Sequence, residues 1–319
     1  MADSKWVPGL RADAPVADAA RQVLALRLEA VRDALAPAVY HADEDPEHVH
    51  RLRVATRRAG AALEIFARCL SDKVHRGAKK RLRRIRRAAG AARDWDVFLN
   101  HVRERLPGAS GREQPGLDFL FGYAQGRRAA AQAGLEDADP DPPLGFGAFL
   151  ARTVADVRGP HPDHGARTLI DLARPMLLDL LRELDRAAAG DLTDYGHLHQ
   201  VRIIGKRLRY AMEVFADCFG PPFREEIYPA VEAMQDVLGR ANDSHVAEGH
   251  LTALLGRLRR TARGEMKRLR PGIEAELRFH RRRLPKERGE FLKWWDRWQA
   301  SGSETVLTTL LQAPEAESA

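Results

Sequence analysis

A single offset of 149 residues constrains this chain more than any other feature of its sequence. His48, His50, Arg53, Arg58, Ala62, Glu64, Phe66 and Cys69 recur, without a gap, as His197, His199, Arg202, Arg207, Ala211, Glu213, Phe215 and Cys218. Gly90, Ala92, Asp94 and Val97 recur as Gly239, Ala241, Asp243 and Val246, and Leu28 and Leu35 match Leu177 and Leu184. One register held across three segments reads as a duplicated unit of about four helices per half. The segments are helical by their apolar spacing: Val23, Leu24, Leu28, Val31 and Leu35 near 17–40, then Leu52, Ala55, Ala59, Leu63 and Phe66 near 46–69. No period-two alternation is sustained, and an apolar set of mainly Ala and Leu, with aromatics at 7%, suits packed helices. The expected fold class is all-α.

Punctuation divides the chain. Pro/Gly-rich breaks fall at 107–116, 136–147 and 159–165. They predict an N-terminal tail at 1–14, a first helical repeat at 15–138, a linker at 139–165, a second repeat with C-terminal helices at 166–302, and a tail at 303–319. Trp294, Trp295 and Trp298 share a short amphipathic stretch and are expected to close the core of the second half. Cys69 and Cys218 occupy equivalent positions and read as small buried side chains rather than a disulfide. No run approaches the roughly 20 apolar residues of a membrane span, and MADSKWVPGL lacks a secretory core, so the expected location is the cytoplasm, without a membrane.

The charge is unevenly spread. Between His48 and Arg105 stand 17 Lys/Arg against 5 Asp/Glu, while the net charge of the whole is +7, so the remainder is net acidic. A concentrated positive field attracts polyanions without naming one. On the second helix of each unit, His50, Arg53 and Arg57 are stacked at i, i+3 and i+7, and His199, Arg202 and Lys206 repeat the row, with Arg209 one turn on. Stacked like charges weaken a helix, and keeping them twice implies a ligand that neutralises them. Asp94 and Asp243 follow Gly90 and Gly239, which read as helix ends. Those aspartates are therefore expected to cap the next helix or to hold a motif arginine. Arg84 belongs to the densest basic run, 79–87, whose counterpart at 228–236 has no basic residue.

His50-Arg-Leu-Arg-Val-Ala-Thr-Arg-Arg58 and His199-Gln-Val-Arg-Ile-Ile-Gly-Lys-Arg-Leu-Arg209 resemble the paired helix motifs of CHAD domains, the conserved histidine α-helical domains. Gly90-Ala-Ala-Arg-Asp-Trp-Asp-Val97 and Gly239-Arg-Ala-Asn-Asp-Ser-His-Val246 resemble that family's second motif pair. The resemblance spans roughly 15–300. It implies two four-helix bundles related by a pseudo-twofold, and a basic cleft that binds inorganic polyphosphate, with members associated with polyphosphate granules. By the same resemblance, His50, Arg53, Arg57, Arg58, His199, Arg202, Lys206, Arg207 and Arg209 are the anion contacts. Gly60, standing where the second copy has Arg209, departs from that pattern.

An enzyme is not expected: no phosphate-binding Gly/Lys loop, nucleophile elbow or His-Glu-x-x-His is present. Glu274-Ala-Glu276-Leu-Arg278 is superficially similar to the Glu-x-Glu-x-Lys of triphosphate-tunnel enzymes, but ends in Arg within a helical segment. No cofactor is implied, and no metal site either. His50 stands beside arginines, and His161 and His164 have only Asp163 for company. Nucleic acid is the competing polyanion, and a granule scaffold for a partner enzyme is a third reading. The motif faces offer no stacking aromatic apart from Tyr210 at the edge, which favours an anion without bases.

Overall fold

The computed structural model describes residues 5–138, 142–158 and 167–312, and within them the chain forms helices and no strand. The loop histidines His161 and His164 and the last seven residues lie outside the described residues. The first half runs α1 (Val16–Tyr40), α2 (Glu47–Ile65), α3 (Asp72–Arg105) and α4 (Gln114–Glu136). After α5 (Pro142–Ala155), the second half runs α6 (Leu169–Ala188), α7 (Tyr195–Phe215), α8 (Tyr228–Thr261) and α9 (Met266–Ala300), then α10 (Ser303–Gln312). Four helices thus follow one another in each half, with neighbours in sequence packed as neighbours in space.

The halves do not keep separate interiors. The larger core takes Leu24, Leu28 and Leu35 from α1, Leu52 and Leu63 from α2, and Leu177, Leu184, Leu208 and Phe215 from α6 and α7. A smaller cluster joins the distal ends of α3 and α4 to those of α8 and α9, through Phe98, Val102, Leu120, Leu251, Leu255 and Ile273. Where α4 crosses α9, Gly116 and Gly272 face each other, and a Cβ on either would strike the opposite backbone. Gly205 plays a similar part in α7, because a Cβ there would collide with the side chains of Gln235 and Met234 on α8. The starts of α1 and α6 are laced by backbone bonds from Leu169 N to Ala14 O and from Ile170 N to Ala12 O, both 2.9 Å. Thr168 and Asp171 close a capping box at the head of α6.

Three sequence readings change here. The 139–165 stretch carries α5, whose buried Phe146 and Phe149 join the main core despite the Pro/Gly composition around them. The segments outside the repeats are also engaged: Val7 and Leu10 are buried ahead of α1, as are Leu307 and Leu311 on α10. Gly90 and Gly239 do not end helices. Both lie inside continuous 34-residue helices, so Asp94 and Asp243 cap nothing. Packing along the full length of α3 and α8 offsets the cost of about 1 kcal/mol that an interior glycine imposes. The three tryptophans are buried in the main core, as their spacing suggests.

Candidate functional site

The two motif helices meet. α2 and α7 pack against each other, and α3 closes one side to leave an open cleft of about 690 Å3. Its walls carry nine Lys/Arg side chains against two carboxylates, Glu64 and Asp94. From the row expected on α2 come Arg53 and Arg57. From the row on α7 come His199, Arg202, Lys206 and Arg207. α3 supplies Lys79, Arg83, Arg86 and Arg87.

The carboxylates do little to balance these cations. Arg53 Nη1 donates to Asp94 Oδ1 at 3.0 Å, Lys79 pairs with Glu64 at 2.6 Å, and Arg207 reaches Glu183 at 2.6 Å. Among the described residues, half-buried Arg57, Arg202 and Lys206 meet no carboxylate within ion-pair distance, nor do exposed Arg83, Arg86 and Arg87. Arg202 Nε and His199 Nδ1 are buried without a hydrogen-bond partner. Asp243 lies near enough to Arg202 to favour its charge, which is the 149-residue echo of Arg53 with Asp94. Asp94 therefore holds its motif arginine directly, whereas Asp243 acts on Arg202 only through its charge.

Crowding shows in the proton affinities. Burial, reinforced by Arg57, Arg202, Arg53 and Arg209, drives Lys206 down to about 5. Burial and the guanidinium groups of Arg53 and Arg202 lower Arg57 to about 10. His50 and His199 are also pushed below the usual imidazole range, first by burial and then by the neighbouring cations. A cleft that presses its own basic groups toward neutrality would have that charge restored by a multivalent anion.

Other expected contacts stand elsewhere. His50, on the same face of α2, is outside the cleft wall. Arg58 turns away from the cleft, its Nε donating to Glu213 Oε2 at 2.7 Å. Glu213 is 1% exposed and also accepts from the Tyr228 hydroxyl at 2.8 Å, with Arg27 and Arg209 each 4.0 Å away. Arg209 completes this network through Glu232 at 3.4 Å, and its guanidinium covers the Tyr210 ring at 5.1 Å. A carboxylate withdrawn this far from water must be paired, and that requirement captures Arg58 and Arg209. Arg84 lines a second basic groove of about 940 Å3 on the far side of α3, with Lys80 and Arg81. Arg83 and Arg87 line both grooves.

Sequence reasoning missed Arg83, Arg86 and Arg87 as members of the cleft. The signal was available: stepping back from the motif residue Asp94 by threes and fours along α3 gives Gly90, then Arg86 and Arg87, Arg83 and Lys79, all on the cleft side.

No curated protein sequence matches the chain. In structure it is similar to the crystal structure of the CHAD domain from the plant Ricinus communis, with 24% identity and a TM-score of 0.65 over 99% of this chain and 98% of that one. It is also similar to PptA from Streptomyces chartreusis, with 19% identity and a TM-score of 0.69 over 89% of this chain and all of the other. A family model for the CHAD domain matches residues 19–252, from α1 into α8, and includes both motif helices. With both motif helices on one cleft and the family model covering most of its length, this chain belongs to the CHAD domain family.

Proposed function

We propose that this protein binds inorganic polyphosphate in the cleft between α2, α3 and α7, without transforming it. The observation that carries the reading is the convergence of Arg57, Arg202 and Lys206, half-buried and without carboxylate partners, on one cleft rimmed by further arginines. Burial disfavours the charged form of each, and closely spaced anionic oxygens would restore it. The second basic groove, which shares Arg83 and Arg87 with the cleft, favours a chain of repeating charges over a single phosphate. The cleft wall holds one aromatic ring, Tyr210, which is buried and occupied by Arg209, so bases would find no stacking platform. The family resemblance ranks polyphosphate first among the remaining anions. Recruitment to polyphosphate granules, where a partner enzyme could be met, follows from such binding.

The test is competition at near-physiological salt. Long-chain polyphosphate is expected to displace labelled single- or double-stranded DNA at matched charge, while DNA fails to displace polyphosphate. Equal competition by DNA would replace polyphosphate with a general polyanion. Incubation with polyphosphate should release no orthophosphate above a protein-free control, and release that tracks protein concentration would end the non-enzymatic reading.

A further inference from the structure

At the distal end of the molecule, where α3 crosses α9, His101 Nε2 lies 2.9 Å from Glu276 Oε2. His280, one turn beyond Glu276 on the same face of α9, brings its imidazole to 4.9 Å from the His101 ring, centroid to centroid. One ligand atom from each of these three residues falls within a sphere of contacts no wider than 4.8 Å. Glu276 is 0% exposed and His280 6%. Neither ring nitrogen of His280 has a hydrogen-bond partner. A buried imidazole that neither donates nor accepts costs a full desolvation penalty on both sides of the ring, so this orphan demands an explanation.

We propose that His101, Glu276 and His280 form a binding site for one divalent transition-metal ion of the zinc class. Two imidazoles and a carboxylate without thiolate are a ligand set of that class, with one position left for water. Several features fit. Glu276 and His280 are spaced i, i+4, so both project from one face of α9 toward α3. Arg105 Nε donates to Glu276 Oε1 at 2.8 Å, which fixes the carboxylate, and a metal would replace the proton now shared between His101 Nε2 and Oε2. Phe279 packs on the His101 ring at 4.5 Å and holds its plane. A cavity of about 120 Å3, with His101 and His280 in its wall, gives the fourth position room for water. The neighbouring positive charge is itself paired, because Arg283 donates to Glu287 at 2.8 Å. Residues 101 and 276 stand 175 positions apart, so no spacing motif reveals the set. None of the three residues lines the anion cleft, and a metal there would join α3 to α9.

The test uses tag-free, chelator-stripped protein and the metals themselves. Co2+ should add one equivalent with the intense visible bands of a tetrahedral site, Zn2+ should displace it, and Zn2+ should raise the melting temperature. His280→Ala and Glu276→Gln should each weaken Zn2+ binding by more than about 100-fold, beyond the loss typical of an outer-sphere partner. Should either variant fold poorly by circular dichroism, His101→Ala, at the half-buried edge, makes the same comparison, and the Co2+ spectrum of the unaltered protein stands regardless. Absence of stoichiometric metal uptake, or uptake unchanged in these variants, overturns the proposal and leaves the triad a hydrogen-bonded core.

Discussion

Arg57 and Arg58 are neighbours in the chain and meet opposite fates. Arg58 swings under the crossing of α2 and α7, where Glu213, Tyr228, Arg27 and Arg209 share a sealed network. Arg57 faces the cleft among Arg53, Arg202 and Lys206, with no carboxylate to meet. One region spends its arginines on cohesion and the other keeps them available. Within two related basic motifs, the position of a single buried glutamate decides which basic side chains serve the fold and which can serve a ligand. The copies are unequal for the same reason. Glu213 is sealed, whereas its counterpart Glu64 is exposed and holds only Lys79. Arg207, the counterpart of Arg58, is left on the cleft edge with Glu183.

This division can be broken from either side. The largest effect is expected in the sealed network. Glu213→Ala strands Arg58 and Arg27 without their anion and should cost about 3–5 kcal/mol of stability in urea denaturation. A loss below about 1 kcal/mol would mean the network is not what joins α2 to α7.

Lys206→Met should act in the opposite sense on stability. Its ammonium is held near 5 in the fold, far below the ordinary 10.5. Between those values the unfolded chain binds a proton that the folded chain does not, so the stability of the ligand-free protein should rise with pH across that window. The variant should flatten this rise in melting temperature while weakening polyphosphate. In the unaltered protein, anion binding should draw protons onto Lys206 and His199, so affinity should grow as pH falls from 8 to 6, by up to about tenfold per pH unit for each linked proton. Affinity independent of pH would remove these groups from the site.

The smallest effect belongs to Arg84. It lines only the outer groove, so Arg84→Ala should leave short polyphosphate unaffected and weaken long chains by no more than about tenfold. An equal loss for both lengths would mean that Arg84 reaches the cleft.

Much of this was legible in the sequence. The all-α class follows from apolar spacing, because helices are local structures with a short period, whereas the meeting of the two His/Arg rows on one cleft was implied only by the family resemblance. The partner of each arginine was not legible. Arg57 and Arg58 differ by one residue in a helix turn, and only the packing of α7 and α8 around Glu213 separates them. Gly90 and Gly239 looked like helix ends because glycine is costly in an isolated helix, yet long tertiary contacts carry α3 and α8 through them. α5 was hidden for a related reason, since prolines at its start read as a linker until Phe146 and Phe149 are seen in the core. The α3 side of the cleft was obscured by abundance. Where seven of nine consecutive residues are basic, composition says little about which face is used.

The central claim is that the cleft cations, and not the general excess of positive charge, hold the polyanion. It is tested most directly by two triple variants that each remove two arginines and one lysine: Arg57→Ala with Arg202→Ala and Lys206→Ala, against Arg259→Ala with Arg260→Ala and Lys267→Ala on the exposed end of α8 and start of α9. Titration with long-chain polyphosphate at near-physiological salt should show a loss of at least about 100-fold and a shallower salt dependence for the cleft variant, with the control near the unaltered protein. Equal losses in the two would contradict the account.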